Sequence, residues 1–493
     1  MKDAFVFEAE PFEITAEQGY EYESHSCGCK NGCGSKSAEG ELDEYGESDA
    51  PDRFSGPEHR LIGDLGAAKL PTTIVYDEKG TTLTVGEMIS LAGDMFDDYF
   101  QMKELARTAT GRGQLRWALW KAVDGKGPEP RVPKATKDKV NEDYLALAGR
   151  NISHFLTGGT SWATYFKWHS MAMVHALDAG IDSNEKVWRE AISKEAFALH
   201  FLTDSFSSGH IRTPRSAMDA WYAKNYGNAI NKFVGRFAAF IYGELKKRNR
   251  ELRYPGAVPF LHFLPKYFTE RGAKGDMKRE MKKFSLDDPI ALAIHDIDNE
   301  KGLHVISAVD PSGRAVPGGY KWVAFGDGKL GGLSPATRRP ETRNMVVSAV
   351  KASLDDLRLI RAAGAKNKGR QLTHSQRLAI MKKALGMNPA GSWTKVRSAA
   401  FLPKEDKSGA NSPLPEWRWG KLDPRVYQRV DKEIKTSFAQ AFYAKAAAER
   451  GKKPKTALRV IKIGGVSEAL YAFAKMLETK GIRFFEEFLG KAR

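Results

Sequence analysis

Over most of the chain, apolar residues recur every three or four positions, the spacing of amphipathic α-helices. A long helix is predicted over residues 161–180, with Gly180 at the usual C-terminal capping position. The next apolar run carries His200 deep inside it, and helix is predicted again over residues 216–247 and 341–364. The pattern therefore predicts a protein that is mainly α-helical.

Two capping boxes mark helix starts nearer the N-terminus. A cap residue is followed three positions later by glutamate at Ser55 to Glu58 and again at Thr84 to Glu87. The run that the second box opens, MISLAGDMFDDYFQMKELA, predicts one helix with Asp94 beside its apolar stripe.

The period of the pattern changes to two near residue 303. The run LHVISAV at residues 303–309 is followed by the turn sequence DPSG and then by YKWVAFGDG at residues 320–328. Alternation on both sides of a turn predicts a small β-hairpin inserted between helices.

Composition divides the chain into three predicted parts. Residues 1–53 are acidic and rich in Gly and Ser, which predicts a disordered tail that docks a partner, serves export or folds back over the body. Residues 54–365 contain the main helical domain. Residues 366–493 are rich in Lys and Ala and predict a basic helical extension.

The net charge of +16 is distributed unevenly, with −10 on residues 1–53 and therefore +26 on the remainder. A basic body favours polyanions such as nucleic acid or an anionic membrane surface, although it also fits a plain solvated surface. The chain has no run of 18 apolar residues, and its acidic start lacks Sec signal-peptide features. We therefore expect synthesis in the cytoplasm, no transmembrane segment, and a non-Sec route for any export.

All three cysteines, Cys27, Cys29 and Cys33, lie in the acidic tail. A body without cysteine fits a reducing compartment of synthesis. The cysteine cluster could bind a metal with His25 as fourth ligand, or bind none.

The candidate chemistry centres on residues 195–215, EAFALHFLTDSFSSGHIRTPR. His200 and Asp204 are four apart and share a helix face, and His210 follows small residues that let the chain turn back. Two imidazoles and a carboxylate are typical zinc ligands. The same residues also fit a buried His–Asp hydrogen bond with His210 unrelated to it.

From His59 to Ile360 the chain resembles the zinc-dependent phospholipase C family and the related single-strand-specific zinc nucleases, whose fold is a multi-helix bundle. The resemblance rests on HFLTDSFSSGH, in which a His is followed by Asp four residues later and by His six after that. Other matching positions occur in the family's order. By resemblance, the metal ligands are His59, Asp94, His154, His200, Asp204, His210, His295 and Asn299.

The resemblance implies zinc-dependent phosphodiester hydrolysis with two or three zinc ions per chain. Asp94 is then also the catalytic base that orients the attacking water, and Asp204 bridges two ions.

The chain departs from the family at two places. The last ligand of the family is a carboxylate, whereas residue 299 is Asn, so Asp296 or Asp298 could ligate instead. The family also uses the amine of an N-terminal Trp just ahead of its first His, whereas 58 residues precede His59. We therefore expect two zinc ions per chain rather than three.

Three functions stay open, with phospholipase C-type cleavage of membrane phospholipids preferred. A nuclease acting on single-stranded nucleic acid is the alternative, and a non-catalytic zinc-containing binding module is the third. Arg212 and Arg215 could clamp a phosphate or form a solvated pair. Aromatic residues that could enter a membrane are Tyr254, Phe260, Phe263, Tyr267 and Phe268, and those that could stack bases are Trp162, Trp168 and Trp221.

Overall fold

The structure is a computed structural model, and it describes most of the chain after residue 55. The described residues are 56–68, 75–76, 82–123, 128–148, 151–227, 287–326, 330, 340–389, 393, 396–451, 470–471 and 473–489. The expectations for the acidic tail, the cysteine cluster and the aromatic residues between 254 and 268 lie outside these residues.

The described chain is mainly helical with little strand, as the sequence pattern predicts. The helices are α1 (Gly56–Gly66), α2 (Val85–Leu91), α3 (Tyr99–Ala106), α4 (Ala109–Ala122), α5 (Lys134–Ala148), α6 (Thr160–Ile181), α7 (Glu185–Asp204), α8 (Ser208–Arg212), α9 (Asp287–Lys301), α10 (Pro340–Ala365), α11 (His374–Ala384), α12 (Pro424–Glu433), α13 (Ala439–Arg450) and α14 (Ile482–Leu489). The strands are β1 (Val75–Tyr76), β2 (Thr82–Leu83), β3 (Leu303–Val309), β4 (Ala315–Ala324) and β5 (Lys404–Glu405). Within the described ranges, no helix has the length and apolar character needed to cross a membrane.

Helix α7 is the centre of the first of two compact units, which spans residues 31–215 and 295–414. It starts at the cap residue Asn184, whose side chain accepts from the backbone N–H groups of Lys186 and Val187. From Ala191 to Asp204 every side chain is buried, because α1, α2, α6 and α10 all pack on this helix. A helix that is buried on every side can present polar groups only into protein, so its histidine and carboxylates need partners.

The prediction of a single helix around Asp94 is wrong. Helix α2 ends at Leu91, and Gly93 follows with φ +72°, a left-handed conformation that favours glycine. The chain then turns before α3, whose N-cap Asp98 accepts from the N–H of Phe100 at 2.6 Å. Asp94 therefore lies in a turn between two helices.

The predicted β-hairpin is confirmed. Strands β3 and β4 pair antiparallel, with Leu303 opposite Ala324 and Val309 opposite Ala315, and a register shift lies between residues 307 and 309. Strand β5 pairs antiparallel with the other edge of β3. The three-stranded sheet thus has the order β4-β3-β5.

The compact units divide the chain after residues 215, 294 and 414 rather than after residue 365. Residues 366–414 belong to the first unit because they complete its sheet and core, as when Tyr165 Oη hydrogen-bonds to Ser398 Oγ at 2.7 Å. In the second unit, Tyr222 donates to the carbonyl of Trp417, and the N–H of Ile482 donates to Asp431.

Candidate metal centre

Six elements carry the residues that the sequence nominates for metal, and all of these residues lie in the first unit. The turn after α2 carries Asp94. The short 3₁₀ helix Asn151–His154 ends in His154, the nominated histidine that follows His59 in the chain. The other positions are His59 on α1, His200 and Asp204 on α7, His210 on α8, and His295 and Asn299 on α9.

The carboxylate of Asp204 lies at the centre of four imidazoles. Its Oδ2 atom is 2.7 Å from His154 Nδ1 and 3.2 Å from His200 Nε2. Its Oδ1 atom is 3.5 Å from His59 Nε2 and 3.8 Å from His210 Nδ1. The structure therefore brings four of the nominated histidines around the buried carboxylate of Asp204, itself a nominated residue.

Hydrogen bonds on the far side of two rings fix which nitrogen faces the centre. His200 Nδ1 donates to the carbonyl of Ile89 at 3.0 Å, which leaves Nε2 directed at Asp204. Thr203 Oγ1 donates to the carbonyl of His200, so it accepts the N–H of His59 Nδ1 at 2.9 Å. Such outer partners orient histidines for metal binding.

The charges of this cluster are strongly coupled. Burial raises the pKa of Asp204, but His200 and His154 outweigh burial and hold that pKa well below its ordinary value. Burial lowers the pKa of His200, yet Asp204 and Asp94 outweigh burial and raise it to about 9. Burial also lowers the pKa of His59, and the charge of His200 lowers it further. In the protein alone, the proton on His200 therefore offsets the negative charge of Asp204 and Asp94. A bound metal cation would offset the same charge.

Two groups of three side chains could each hold a metal ion, because their ligand atoms lie within 4.8 Å of one another. One group is His59, Asp94 and His200, and the other is His154, His200 and Asp204. Imidazole and carboxylate are donors that suit zinc, so these residues fit the metal that the sequence predicts.

Gly93 allows the turn after α2 to pack closely against the imidazoles of His200 and His154. A Cβ atom at position 93 would overlap the imidazole of His200 and contact that of His154. The positive φ of this residue and the space beside it thus both require glycine.

His210 and His295 form a pair beside these groups, with ring centroids 4.9 Å apart. The ring of His295 is oriented by Asp296, whose Oδ1 is 3.0 Å from His295 Nδ1. Neither histidine is part of the two three-residue groups found among the described residues.

Asn299 makes different contacts from those expected of a ligand. Its Oδ1 accepts from the N–H of Gly209 at 2.7 Å, from Ser208 Oγ at 3.1 Å and from Ser207 Oγ at 3.3 Å. The carbonyl oxygen, the atom that would bind a metal, is thus directed at the start of α8.

The other nearby charged residues also have protein partners. Arg212 binds Asp298 through two nitrogens, at 2.8 and 2.7 Å, and is buried rather than solvated. Asp298 and Asp296, the substitutes considered for Asn299, are therefore engaged with Arg212 and His295. Trp168, nominated for base stacking, is buried in the core, whereas Trp162 and Trp221 are half-buried.

Three contributors were missed at the sequence level: the hydroxyl of Thr203, the carbonyl of Ile89 and the close packing of His200 on Gly93, which has no side chain. Neither the spacing of capping residues nor the periodicity of apolar residues reveals any of them, since each acts through residues distant in sequence.

Comparison with known proteins gives no match to a family model, to a curated protein or to a solved structure.

Proposed function

We propose that this protein is a zinc-dependent phosphodiester hydrolase, with phospholipase C-type cleavage of phospholipids as its activity. The observation that carries the proposal is the convergence of His59, Asp94, His154, His200 and Asp204 on one centre. The donors are all imidazole or carboxylate, which is typical of catalytic zinc, whereas structural zinc sites are usually closed and rich in cysteine.

In this proposal the residues of the two groups would together hold two zinc ions, and His200, whose Nδ1 is hydrogen-bonded to Ile89, would ligate one of them through Nε2. Zinc bound there supplies Lewis-acid stabilisation of phosphate oxygens and lowers the pKa of a bound water. Thr203 and the carbonyl of Ile89 keep the imidazoles of His59 and His200 turned toward the centre.

Asp94 is the residue that meets the substrate. It is half-buried, whereas His59, His154, His200 and Asp204 are buried, so the centre is accessible from the side of Asp94. A carboxylate in that position accepts a proton from the attacking water and orients it toward the phosphorus.

Single-stranded nucleic acid is the second candidate substrate, because it presents the same phosphodiester and the chain has a net charge of +16. The buried position of Trp168 removes one of the three side chains proposed to stack bases. A non-catalytic zinc module is less consistent with a half-buried Asp94 beside the buried ligands.

The test combines metal analysis with two substrates. Purified protein should contain about two zinc ions per chain and should hydrolyse phosphatidylcholine vesicles, with activity lost on chelation and restored by zinc. Single-stranded DNA hydrolysed faster than vesicles would favour the nuclease. Less than one zinc per chain, or metal without any phosphodiesterase activity, would overturn the proposal of a zinc hydrolase.

A further inference from the structure

Two adjacent residues of α9, Asp298 and Asn299, contact opposite ends of the short helix α8, which carries His210. We propose that these two residues are positioning residues: they clamp α8 by both ends and thereby set the position of His210 at the metal centre. The inference rests on the proposed function in assigning His210 to the centre, but the clamp itself consists of contacts within the protein.

The C-terminal end of α8 is held through Arg212. The guanidinium donates from Nε and Nη2 to the two oxygens of Asp298, at 2.8 and 2.7 Å, a bidentate arrangement. Its Nη1 donates to Glu405 at 2.8 Å and to the carbonyl of Ser412 at 2.7 Å. Arg212 and Asp298 are both buried, so little solvent competes with these bonds.

The N-terminal end of α8 is held through Asn299. The cap residue Ser207 makes no capping hydrogen bond with its own side chain, so the first N–H groups of the helix need an external acceptor. Asn299 Oδ1 supplies it by accepting the N–H of Gly209 at 2.7 Å. Ser208 Oγ lies within hydrogen-bond distance of Asn299 Oδ1, at 3.1 Å, and of the carbonyl of Asp298, at 3.0 Å, so its one proton is donated to α9 in either case.

Such a clamp is needed because α8 has only five residues. A helix of one turn is unstable unless tertiary contacts hold it. The two elements also lie too close for any larger residue at position 209, where a Cβ would overlap His295 and Asn299. Helix α9 thus fixes both the distance and the orientation of α8.

The consequence is the position of the imidazole midway along α8. Between the two clamped ends, His210 lies with its ring centroid 4.9 Å from that of His295 and its Nδ1 3.8 Å from Asp204. Because Asn299 Oδ1 already faces three donors of residues 207–209, the clamp also accounts for Asn299 without a bond to metal.

The experiment measures amide hydrogen exchange of residues 208–212 and zinc content in full-length variants. Asn299→Leu removes the acceptor and should accelerate exchange in α8 at least tenfold, with exchange in α10 unchanged. Its zinc content should fall to that of His210→Ala. Asn299→Asp keeps an oxygen acceptor and should restore slow exchange, and Glu300→Gln on the same helix serves as the matched control.

Asp298→Asn tests the other end and replaces Asn299→Leu if that variant does not fold. It keeps the shape of the side chain but loses the charged bidentate acceptor, so exchange in α8 should rise at least threefold. Exchange in α8 within twofold of the wild type in both variants would overturn the clamp. A wild-type protein that binds no zinc would overturn the proposed function instead, while the exchange rates would still decide the clamp.

Discussion

Helix α7 contributes residues to two clusters of histidine and carboxylate, and of these two only one has the geometry of a metal centre. We call them the outer cluster (His59, Asp94, His154, His200 and Asp204) and the inner cluster (His169, Glu195 and Asp356). In the inner cluster, His169 Nδ1 is 2.7 Å from Glu195 Oε2, and His169 Nε2 is 4.0 Å from Asp356 Oδ2. The same residue types therefore occur in two clusters to which α7 contributes, with different arrangements.

The difference lies in what surrounds the carboxylates. Glu195 accepts from Ser353 Oγ, which also hydrogen-bonds to Tyr165 Oη at 2.6 Å, so hydroxyl groups close the inner cluster. Its two carboxylates lie on opposite sides of the His169 ring, and in the described part of the chain the three residues are not a group that could hold an ion. In the outer cluster nitrogens of three imidazoles face Asp204, and Asp94 is half-buried rather than buried. Ligand direction and access, rather than composition, separate a candidate active site from a structural network.

The largest expected contrast comes from neutralising the central carboxylate of each cluster. Asp204→Asn removes the charge shared by four imidazoles, and zinc affinity should fall by more than the roughly 10²-fold that loss of an outer partner costs. Glu195→Gln should keep the full zinc content and lose only stability, because Glu195 pairs with His169 away from the centre. Elemental analysis and calorimetric zinc titration of both variants measure the contrast. Equal zinc loss in both would show that the clusters are one functional unit.

The next contrast lies within the outer cluster, between ligand and base. Asp94→Asn keeps the size of the side chain and a carbonyl oxygen but removes basicity, so turnover should fall by roughly 10²–10⁴. Zinc content should fall only modestly, unlike in Asp204→Asn. Asp97→Asn is the matched control, since Asp97 lies three residues away and is exposed. Near-normal turnover of Asp94→Asn with full zinc occupancy would exclude Asp94 as the base.

The inner cluster should make the stability of the protein depend on pH. Burial raises the pKa of Asp356 to about 6, and the negative charge of Glu195 acts in the same direction. The positive charges of His169 and Arg397 lower this pKa but do not outweigh burial. A carboxyl whose pKa is raised on folding stabilises the protein below about pH 4 and loses that contribution as pH rises through about 6. The free energy of unfolding of the wild type, relative to Asp356→Asn, should therefore fall by up to about 3 kcal/mol across this range.

Urea denaturation at intervals between pH 4 and 6.5 measures this slope. Working below pH 6.5 limits interference from His169, whose pKa is also raised, because the charge of Glu195 outweighs the effect of burial. Asp355→Asn is the control, since Asp355 is half-exposed and pairs with Arg358. A difference between wild type and Asp356→Asn that does not change with pH would refute the raised pKa.

The sequence predicted the helical class and the β-hairpin because both follow from local periodicity, which the residues of each segment carry themselves. The break between α2 and α3 was not predicted, since Gly93 turns there to make room for His200, a residue over one hundred positions away. The same reason hid the role of Asn299, whose partners are in α8. The spacing of His200 and Asp204 was visible because one helical turn separates them.

The smallest expected effect tests whether a residue outside the ligand set tunes the outer cluster. Thr203→Val is nearly isosteric but removes the hydroxyl that accepts the N–H of His59 Nδ1 and donates to the carbonyl of His200. His59 then loses the partner that orients Nε2 toward Asp204, so zinc affinity should weaken about 10–100-fold. Thr203→Ser keeps the hydroxyl and should restore affinity, which separates the hydrogen bond from the packing of the lost methyl group. Zinc titration with a competing chelator measures all three proteins. If Thr203→Val binds zinc like the wild type, the orientation of His59 is set by its burial and its stacking on His200 rather than by this hydrogen bond.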